Sequence, residues 1–354
     1  MKKAALALSI LAASTSAAWA QSSVTLYGIV DVGLRWTSNA NVGSSEKQVI
    51  PGGMSQSRLG VNVTEDMGGG LKAIANLEHR LNSDTGAQSS PTDFWRQSWV
   101  GIQSSDFGRL TLGRQYNILF DIYTSTYASF KYSPYIEAYK PEIGLSLGAR
   151  QDNMVKYLIE SGPIRGEIQV SAGEGTGPNK SVGGLLRYAD GPIAVGGAYL
   201  QVEDQAGRKA KAYTAGGAWT SGPWYANLSW ATNKFDAGPI LGPTYTAGLL
   251  GPGLLNAAAN DVKKRDMISG GVTYQLTPQL NIGGHYWYAT QTHYVVSTQK
   301  GKSHYFAVVA DYAFSKRTDV YAEMDYTRFS EGAVRFANGA TKRGGATVGL
   351  RHRF

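Results

Sequence analysis

The side chains that could carry out chemistry in this 354-residue sequence do not form a catalytic motif. Its five histidines form no His-Glu-x-x-His zinc motif, no Gly-x-Ser-x-Gly nucleophile turn occurs, and there are no cysteines. The stretch 173–181 resembles a phosphate-binding loop, but Asn179 stands where that loop needs a glycine before Lys180. The sequence therefore predicts no enzymatic activity, no metal site and no cofactor.

Charged residues on one face of alternating segments indicate a different role, an electrostatic bias on small ions. Alternation places these basic side chains on one face of successive segments: Arg35, Arg58, Lys72, Arg80, Arg109, Arg351 and Arg353. The acids that share this face lie late in the chain: Asp311, Asp319, Glu323 and Asp325. The formal net charge is +8, but no Lys/Arg-rich run marks a nucleic-acid patch. We expect these charges to act on small ions, with no nucleic-acid partner.

The segments that carry these charges read as two-faced β-strands. In residues 342–354, Val348, Leu350 and Phe354 face one way while Thr347 and Arg351 face the other. Fifteen further segments alternate in the same way, near 24–35, 58–64, 71–80, 94–104, 109–116, 152–161, 165–173, 181–189, 192–203, 210–220, 224–235, 266–276, 280–293, 302–314 and 318–329. One face suits lipid and the other a wet interior, and a closed sheet leaves no backbone unpaired in hydrocarbon. The pattern predicts an all-β fold, a sixteen-stranded antiparallel transmembrane β-barrel.

The amino-terminal residues predict export. Lys2 and Lys3 precede an apolar stretch at 4–13, and Ala18-Trp19-Ala20 forms a cleavage site before Gln21. We predict that residues 1–20 are a cleaved signal peptide and that 21–354 form a single barrel domain in the outer membrane of a Gram-negative bacterium. Only 42% of the residues are hydrophobic, and no later run is long enough for a spanning helix.

Two predicted loops exceed the usual length. Residues 117–151 are rich in tyrosine, and connections longer than about 12 to 15 residues are usually functional or disordered. The aromatic content favours function. Residues 237–265 mix apolar residues with glycine and proline, which favours a long extracellular loop.

Several motifs carry a family resemblance: Ser57-Arg-Leu-Gly60, Phe107-Gly-Arg-Leu-Thr-Leu-Gly-Arg-Gln-Tyr116, Pro141-Glu-Ile-Gly144 and Val348-Gly-Leu-Arg-His-Arg-Phe354. They resemble the signature segments of the trimeric general porins of β-proteobacteria. The resemblance implies a homotrimer, passive diffusion of small hydrophilic solutes, and a long third loop folded into the lumen opposite an arginine cluster.

Three details follow from matching those motifs residue by residue. Arg58 matches a lumen arginine, and Pro141 and Gly144 match the turn of the constriction loop, although Ile143 stands where an aromatic residue is commoner. Phe354 matches the terminal assembly residue. The expected partners are outer-membrane lipid, the barrel assembly machinery, and small solutes and anions.

Strand alternation and the resemblance together predict a charged constriction. Its basic cluster is Arg58, Arg80, Arg96, Arg150 and Lys72, and it faces the loop acids Asp121, Glu137 and Glu142. The predicted function is a general diffusion porin that is weakly anion-selective. A substrate-specific outer-membrane channel is the alternative, followed by a barrel-embedded hydrolase and a structural or adhesive barrel.

Overall fold

A single closed antiparallel sheet forms the wall of the molecule. The computed structural model describes residues 22–41, 43–89, 94–133, 136–173, 180–204, 206–236, 262–294, 300–330 and 338–354. These residues form seventeen strands: β1 (Ser23–Asn41), β2 (Ser44–Ile50), β3 (Arg58–Gly68), β4 (Leu71–Arg80), β5 (Trp95–Ser104), β6 (Gly108–Tyr116), β7 (Arg150–Ser161), β8 (Ile164–Ser171), β9 (Lys180–Asp190), β10 (Ile193–Glu203), β11 (Lys209–Ser221), β12 (Trp224–Phe235), β13 (Val262–Gln275), β14 (Leu280–His293), β15 (Gly301–Ala313), β16 (Thr318–Ser330) and β17 (Lys342–Arg353).

The sheet closes because its first and last strands pair. Residues 29–37 of β1 pair with residues 345–353 of β17, and from β3 to β17 each strand pairs with the next one in the chain. On its other edge, the early part of β1 pairs with β3 and the later part with β2, so β2 and β3 share one position in the wall. The wall therefore has sixteen strand positions, which confirms the predicted barrel. None of the helices in the described part of the chain is long and apolar enough to cross a membrane.

One strand was missed and two loop boundaries need correction, and the signal-peptide prediction at 1–20 lies outside the described residues. The strand β2 was not predicted, because its polar sequence Ser-Ser-Glu-Lys-Gln-Val-Ile shows no two-faced pattern and nearly all of it is exposed. The loop predicted at 117–151 ends at 149, since β7 begins at Arg150. In the loop predicted at 237–265, residues 262–265 belong to β13, and the remainder lies outside the described residues. In β2 and at the starts of β7 and β13, backbone pairing extends beyond the part of the sequence in which polar and apolar residues alternate.

The outer face of the wall is apolar and carries aromatic side chains toward both ends of the strands. Its exposed aromatic residues include Trp36, Trp95, Trp219, Trp224, Trp230, Tyr286, Phe306, Tyr312 and Tyr326. Exposed Leu, Val and Ile residues lie between them, for example Val100 and Leu228. This distribution matches a hydrocarbon belt bordered by interfacial aromatic girdles.

The closure seam is held by ion pairs on the inner face. The guanidinium of Arg35 lies 3.1 Å from the carboxylate of Glu323 and 2.7 Å from that of Asp325. Arg351 donates to Asp319 at 2.9 Å and is 1% exposed. Since β1, β16 and β17 supply these charges, the acids predicted on the late strands neutralise the arginines of the seam.

The outer face of the seam is completed by Phe354. The backbone groups of Gly28 and Phe354 exchange two hydrogen bonds of 3.1 Å. A Cβ atom on Gly28 would lie 2.4 Å from Cζ of the Phe354 ring, so only glycine leaves room for the ring.

Residues 51–57, which we call the inner bend, connect β2 to β3 and are anchored by Asp31. The backbone N–H groups of Gly53, Met54 and Ser55 donate to the Asp31 carboxylate at 3.2, 3.2 and 2.7 Å. The Tyr321 hydroxyl also donates to it, at 2.6 Å. Asp31 is completely buried, and four donors satisfy its charge.

Residues 117–149 form a separate packed segment that contains helix α1 (Ile118–Thr126) and a 3-10 helix (Pro141–Leu145). Asn117 caps α1 by accepting from Phe120 N–H at 3.0 Å, and its own amide donates to the Ser146 carbonyl at 2.8 Å. The apolar side chains of the segment join inward residues of the wall in two clusters. One cluster unites α1 with strands β9–β13, and the other unites residues near Phe130, Ile136 and Tyr139 with strands β13–β16.

Replacing Asp31 should loosen the inner bend. Asp31→Asn exchanges an oxygen for an amide donor, which leaves at least one of the buried N–H groups unsatisfied at a cost of roughly 1–3 kcal/mol. We expect a lower urea midpoint for the refolded barrel in detergent. Asp106→Asn, in an exposed turn, is the control and should leave the midpoint unchanged. Equal midpoints for both variants would show that the Asp31 anchor does not stabilise the barrel.

Candidate functional site

Four of the predicted arginines converge where the long loops leave the wall. Arg58 begins β3 and Arg80 ends β4, and the two are direct cross-strand partners. Arg96 follows at the start of β5, and Arg150 is the first residue of β7. We call Arg58, Arg80, Arg96 and Arg150 the basic cluster. Arg58 and Arg80 keep 16% and 28% of their side chains accessible, whereas Arg96 keeps 4%.

Glu78 links two members of the basic cluster. Its carboxylate lies 3.7 Å from the guanidinium of Arg58 and 3.2 Å from Nε of Arg96. The Tyr27 hydroxyl donates to it at 3.1 Å and accepts from the Asn76 amide at 2.9 Å. This network fixes the arginine side chains because each charged group has a directed partner.

Tyr116 connects the basic cluster to α1. Its hydroxyl accepts from Nε of Arg96 at 3.0 Å and from a terminal nitrogen of Arg150 at 3.2 Å. The Arg150 guanidinium carbon lies 4.6 Å from the centre of the Tyr116 ring, and that ring stacks on Phe120 with centroids 4.0 Å apart. Through Tyr116, α1 is therefore in contact with a residue that Arg96 and Arg150 both bind.

Glu137 brings a carboxylate of the 117–149 segment onto the cluster. It accepts from Arg80 and from Lys140, and Arg80 also donates to the Gln56 amide oxygen of the inner bend. Burial opposes ionisation of Glu137, but the two cations prevail and lower its pKa. Burial lowers the pKa of Lys140 to about 8, although Glu137 offsets part of that effect.

The other predicted site residues lie apart from the basic cluster. Asp121 accepts from Lys156 at 2.6 Å, on β7. Glu142 accepts from the hydroxyls of Tyr123 and Ser129. Lys72 is exposed eight residues before Arg80 on β4, which is about 26 Å along a strand. The structure brings together the four arginines and Glu137, and it leaves out Lys72, Asp121 and Glu142.

Glu142 is instead part of the packing of the segment. Pro141 opens the 3-10 helix, Gly144 is buried within it, and Ile143 packs against the cluster that contains α1. Burial raises the pKa of Glu142 to about 7, against the effect of the hydroxyl donors Ser129 and Tyr123.

Three residues of the site were not predicted. Glu78 alternates inward with Arg80, so the strand pattern placed it on the correct face without indicating its role. Tyr116 ends one of the family motifs, which did not indicate its contact with the arginines, and Lys140 carries no sequence signal of its own. The capping residue Asn117, with Asp121 in the first turn, could have indicated α1 from the sequence.

Among the described residues, no group of three or more His, Asp or Glu side chains could hold a metal ion.

The wall and the site together define a class of protein. A closed sixteen-position sheet with an apolar, aromatic-bordered exterior and a charged interior is the architecture of a transmembrane β-barrel channel. A family model described as Gram-negative porin matches residues 7–332. The chain belongs to this family, and it is an outer-membrane protein of the Gram-negative type.

Relatives and solved structures agree with this assignment. The chain is 28% identical to an outer membrane porin protein of Bordetella pertussis over 406 residues, and 28% identical to outer membrane porin protein 32 of Delftia acidovorans over 387 residues, with 100% of both chains covered in each case. Its structure is similar to the anion-selective porin from Comamonas acidovorans, with a TM-score of 0.71, 23% identity, and coverage of 94% of this chain and 100% of that one. It is also similar to the trimer form of OmpT from Vibrio cholerae, with a TM-score of 0.69, 16% identity, and coverage of 94% and 99%.

The buried Glu142 predicts a pH dependence of stability. Because its pKa is raised to about 7, above the value near 4.3 of an unfolded chain, its protonation stabilises the fold below about pH 4. That contribution, up to roughly 3 kcal/mol, is lost as the pH rises through 7. We expect the urea midpoint of the parent protein, relative to that of Glu142→Gln, to fall between pH 5 and pH 8. A constant difference between the two proteins over this range would contradict the assignment.

Proposed function

We propose that the protein is a general diffusion channel for small hydrophilic solutes, with a weak preference for anions. Its narrowest passage lies between the 117–149 segment, acting as the constriction loop, and the basic cluster. Passive transport needs a wet path of fixed width and a local electrostatic field, and it needs no catalytic residue, metal or cofactor.

The contacts of the 117–149 segment carry the proposal. Glu137 contacts Arg80 on β4, and the N–H of Ile118 donates to Gln169 on β8 at 2.8 Å. Tyr225 on β12 donates to the Ala128 carbonyl at 2.5 Å, and the hydroxyls of Tyr139 and of Thr327 on β16 are 2.8 Å apart. A segment that touches β4, β8, β12 and β16 reaches every quarter of a sixteen-position wall. This supports an interior position that narrows the lumen.

Charge supports the anion preference. The basic cluster and Lys140 contribute five cationic side chains, against the two carboxylates Glu78 and Glu137. The Debye length is about 8 Å at physiological ionic strength, so a narrow passage lies within the unscreened field of these groups. The structurally similar protein from Comamonas acidovorans is an anion-selective porin, which agrees with this preference.

Export and assembly complete the proposal. Residues 1–20 are removed on export, and the Phe354 ring over Gly28 helps the assembly machinery to close the sheet in outer-membrane lipid.

Charge reversal in the basic cluster tests the anion preference. In the double variant Arg58→Glu, Arg80→Glu, two cations become carboxylates near Glu78 and Glu137, so the field in the passage changes sign. We expect the anion-to-cation permeability ratio, measured from the reversal potential of a planar bilayer under a KCl gradient, to fall from above one to below one.

Lys72→Glu is the matched control, since it reverses one charge on the same strand at the opposite rim. It should shift the reversal potential much less than Arg80→Glu alone. If Arg58→Glu, Arg80→Glu leaves the permeability ratio at its parent value in a conducting, folded barrel, the basic cluster does not set selectivity.

We further propose that three copies assemble through the outer faces of β1, β3–β6 and β17. Apart from Trp36 and Trp95, the outward residues there are mostly small or aliphatic, for example Val24, Val30, Ala75, Val100 and Val348, which suits protein packing. The aromatic-rich faces of β11–β16 suit lipid better.

The absence of cysteine allows a direct test of this interface. Native mass spectrometry in mild detergent should give the mass of three chains. Nitroxide labels on Val100→Cys should give shorter spin–spin distances than labels on Leu228→Cys, because the first site faces the threefold axis and the second faces lipid. A monomer mass, or equal distances for the two sites, would contradict the proposed interface.

A further inference from the structure

A polar pocket lies between the carboxyl-terminal end of α1 and the barrel wall, at the end of the barrel where short turns connect the strands. It has a volume of about 420 Å³ and opens beside the Asp190–Pro192 turn between β9 and β10. The alanines Ala189, Ala194 and Ala218 line the wall, and their small side chains leave the space unfilled. The 117–149 segment covers the pocket with residues 124–126, Ala128 and Lys131.

Arg187 gives this pocket its chemistry. It lies on β9, lines the pocket, and has a buried Nε atom without a hydrogen-bond partner. Within the described part of the chain, no carboxylate lies at ion-pair distance from Arg187. Its cross-strand neighbour Arg165 forms ion pairs with Glu167 and Glu160. A half-buried guanidinium without a partner is costly unless a ligand or water completes its hydrogen bonds.

The remaining lining groups fit an oxyanion that carries hydroxyls. Lys131 supplies a second cation, and the hydroxyls of Ser125, Thr126 and Thr220 line the same space. Ser125 and Thr126 bond to each other at 3.2 Å, which leaves one hydroxyl hydrogen for a ligand. Asp190 is the one acid among the described lining residues, and it can accept from a hydroxyl of the ligand.

We propose that this pocket is a binding site for the carboxylate or phosphate group of a small hydroxylated solute, held by Arg187 and Lys131. A guanidinium presents paired N–H donors that match two oxygens of such a group, and the ammonium supplies a further charge-assisted hydrogen bond. The basic cluster lies toward the long loops and the pocket toward the short turns. The pocket is therefore a second site, separate from the basic cluster. The role in permeation rests on the proposed function, whereas the binding itself does not.

Inorganic phosphate is the probe for this site. Its dissociation constant is measured by isothermal titration of the folded, detergent-solubilised protein, which does not depend on conduction. We expect Arg187→Gln and Lys131→Gln each to raise the constant tenfold or more. Arg317→Gln is the matched control, because it removes an exposed cation from another short turn.

Bilayer recordings then test the role in permeation. Phosphate added on the short-turn side should reduce the chloride current of the parent channel, and Arg187→Gln should raise the half-blocking concentration to the same degree as the dissociation constant. The proposal is overturned if phosphate does not bind, if Arg187→Gln binds as the parent does, or if Arg317→Gln weakens binding equally. A loss of binding in Arg58→Gln but not in Arg187→Gln would assign the phosphate to the basic cluster and also overturn the proposal. If titration shows the site while the barrel does not conduct, the proposed function fails and the binding site stands.

Discussion

Backbone hydrogen bonding in hydrocarbon is the constraint on which this structure depends. Every N–H and C=O group that crosses the lipid must find a partner, and an open sheet would leave two edges unpaired. The pairing of β1 with β17 removes both edges at once. The ion pairs of Arg35 and Arg351 and the ring of Phe354 lie at this same seam, so the closing contact is reinforced from inside and outside.

The inner face of the wall is apolar on some strands and polar on others. Strands β9–β16 present apolar residues to the 117–149 segment, whereas strands β3–β8 present arginines, acids and amides. The inner bend joins the two regions. Gln56 contacts Arg80, and the carbonyls of Met54 and Gly53 accept from Ser133 and Ala138. Asp31, which holds the inner bend, therefore acts on the segment and on the basic cluster through one set of hydrogen bonds.

The sequence predicted the wall well, because a period of two is a local property and lipid enforces it on every strand. It failed for β2, where nearly every residue is exposed and the polar sequence does not alternate. It placed Arg58 and Arg80 on the correct face, since alternation is sufficient for that. It did not distinguish Glu137 from Asp121 and Glu142, because the partner of each acid depends on how the 117–149 segment folds on itself and packs against distant strands. Nothing in the local pattern contains that information, and the same holds for the link from Tyr116 to Arg150.

The unequal interior implies that the two sides of the barrel accept mutations under different rules. On strands β9–β16 an inward substitution must preserve volume and shape, as in the core of a soluble protein, because the 117–149 segment packs directly on it. On strands β3–β8 many inward residues are buried polar groups with charged or hydrogen-bonded partners, so a substitution there must preserve the partner of each group. Substitutions on β3–β8 should therefore occur in pairs that keep a charge or a hydrogen bond matched, while those on β9–β16 should occur together with changes of shape in the 117–149 segment.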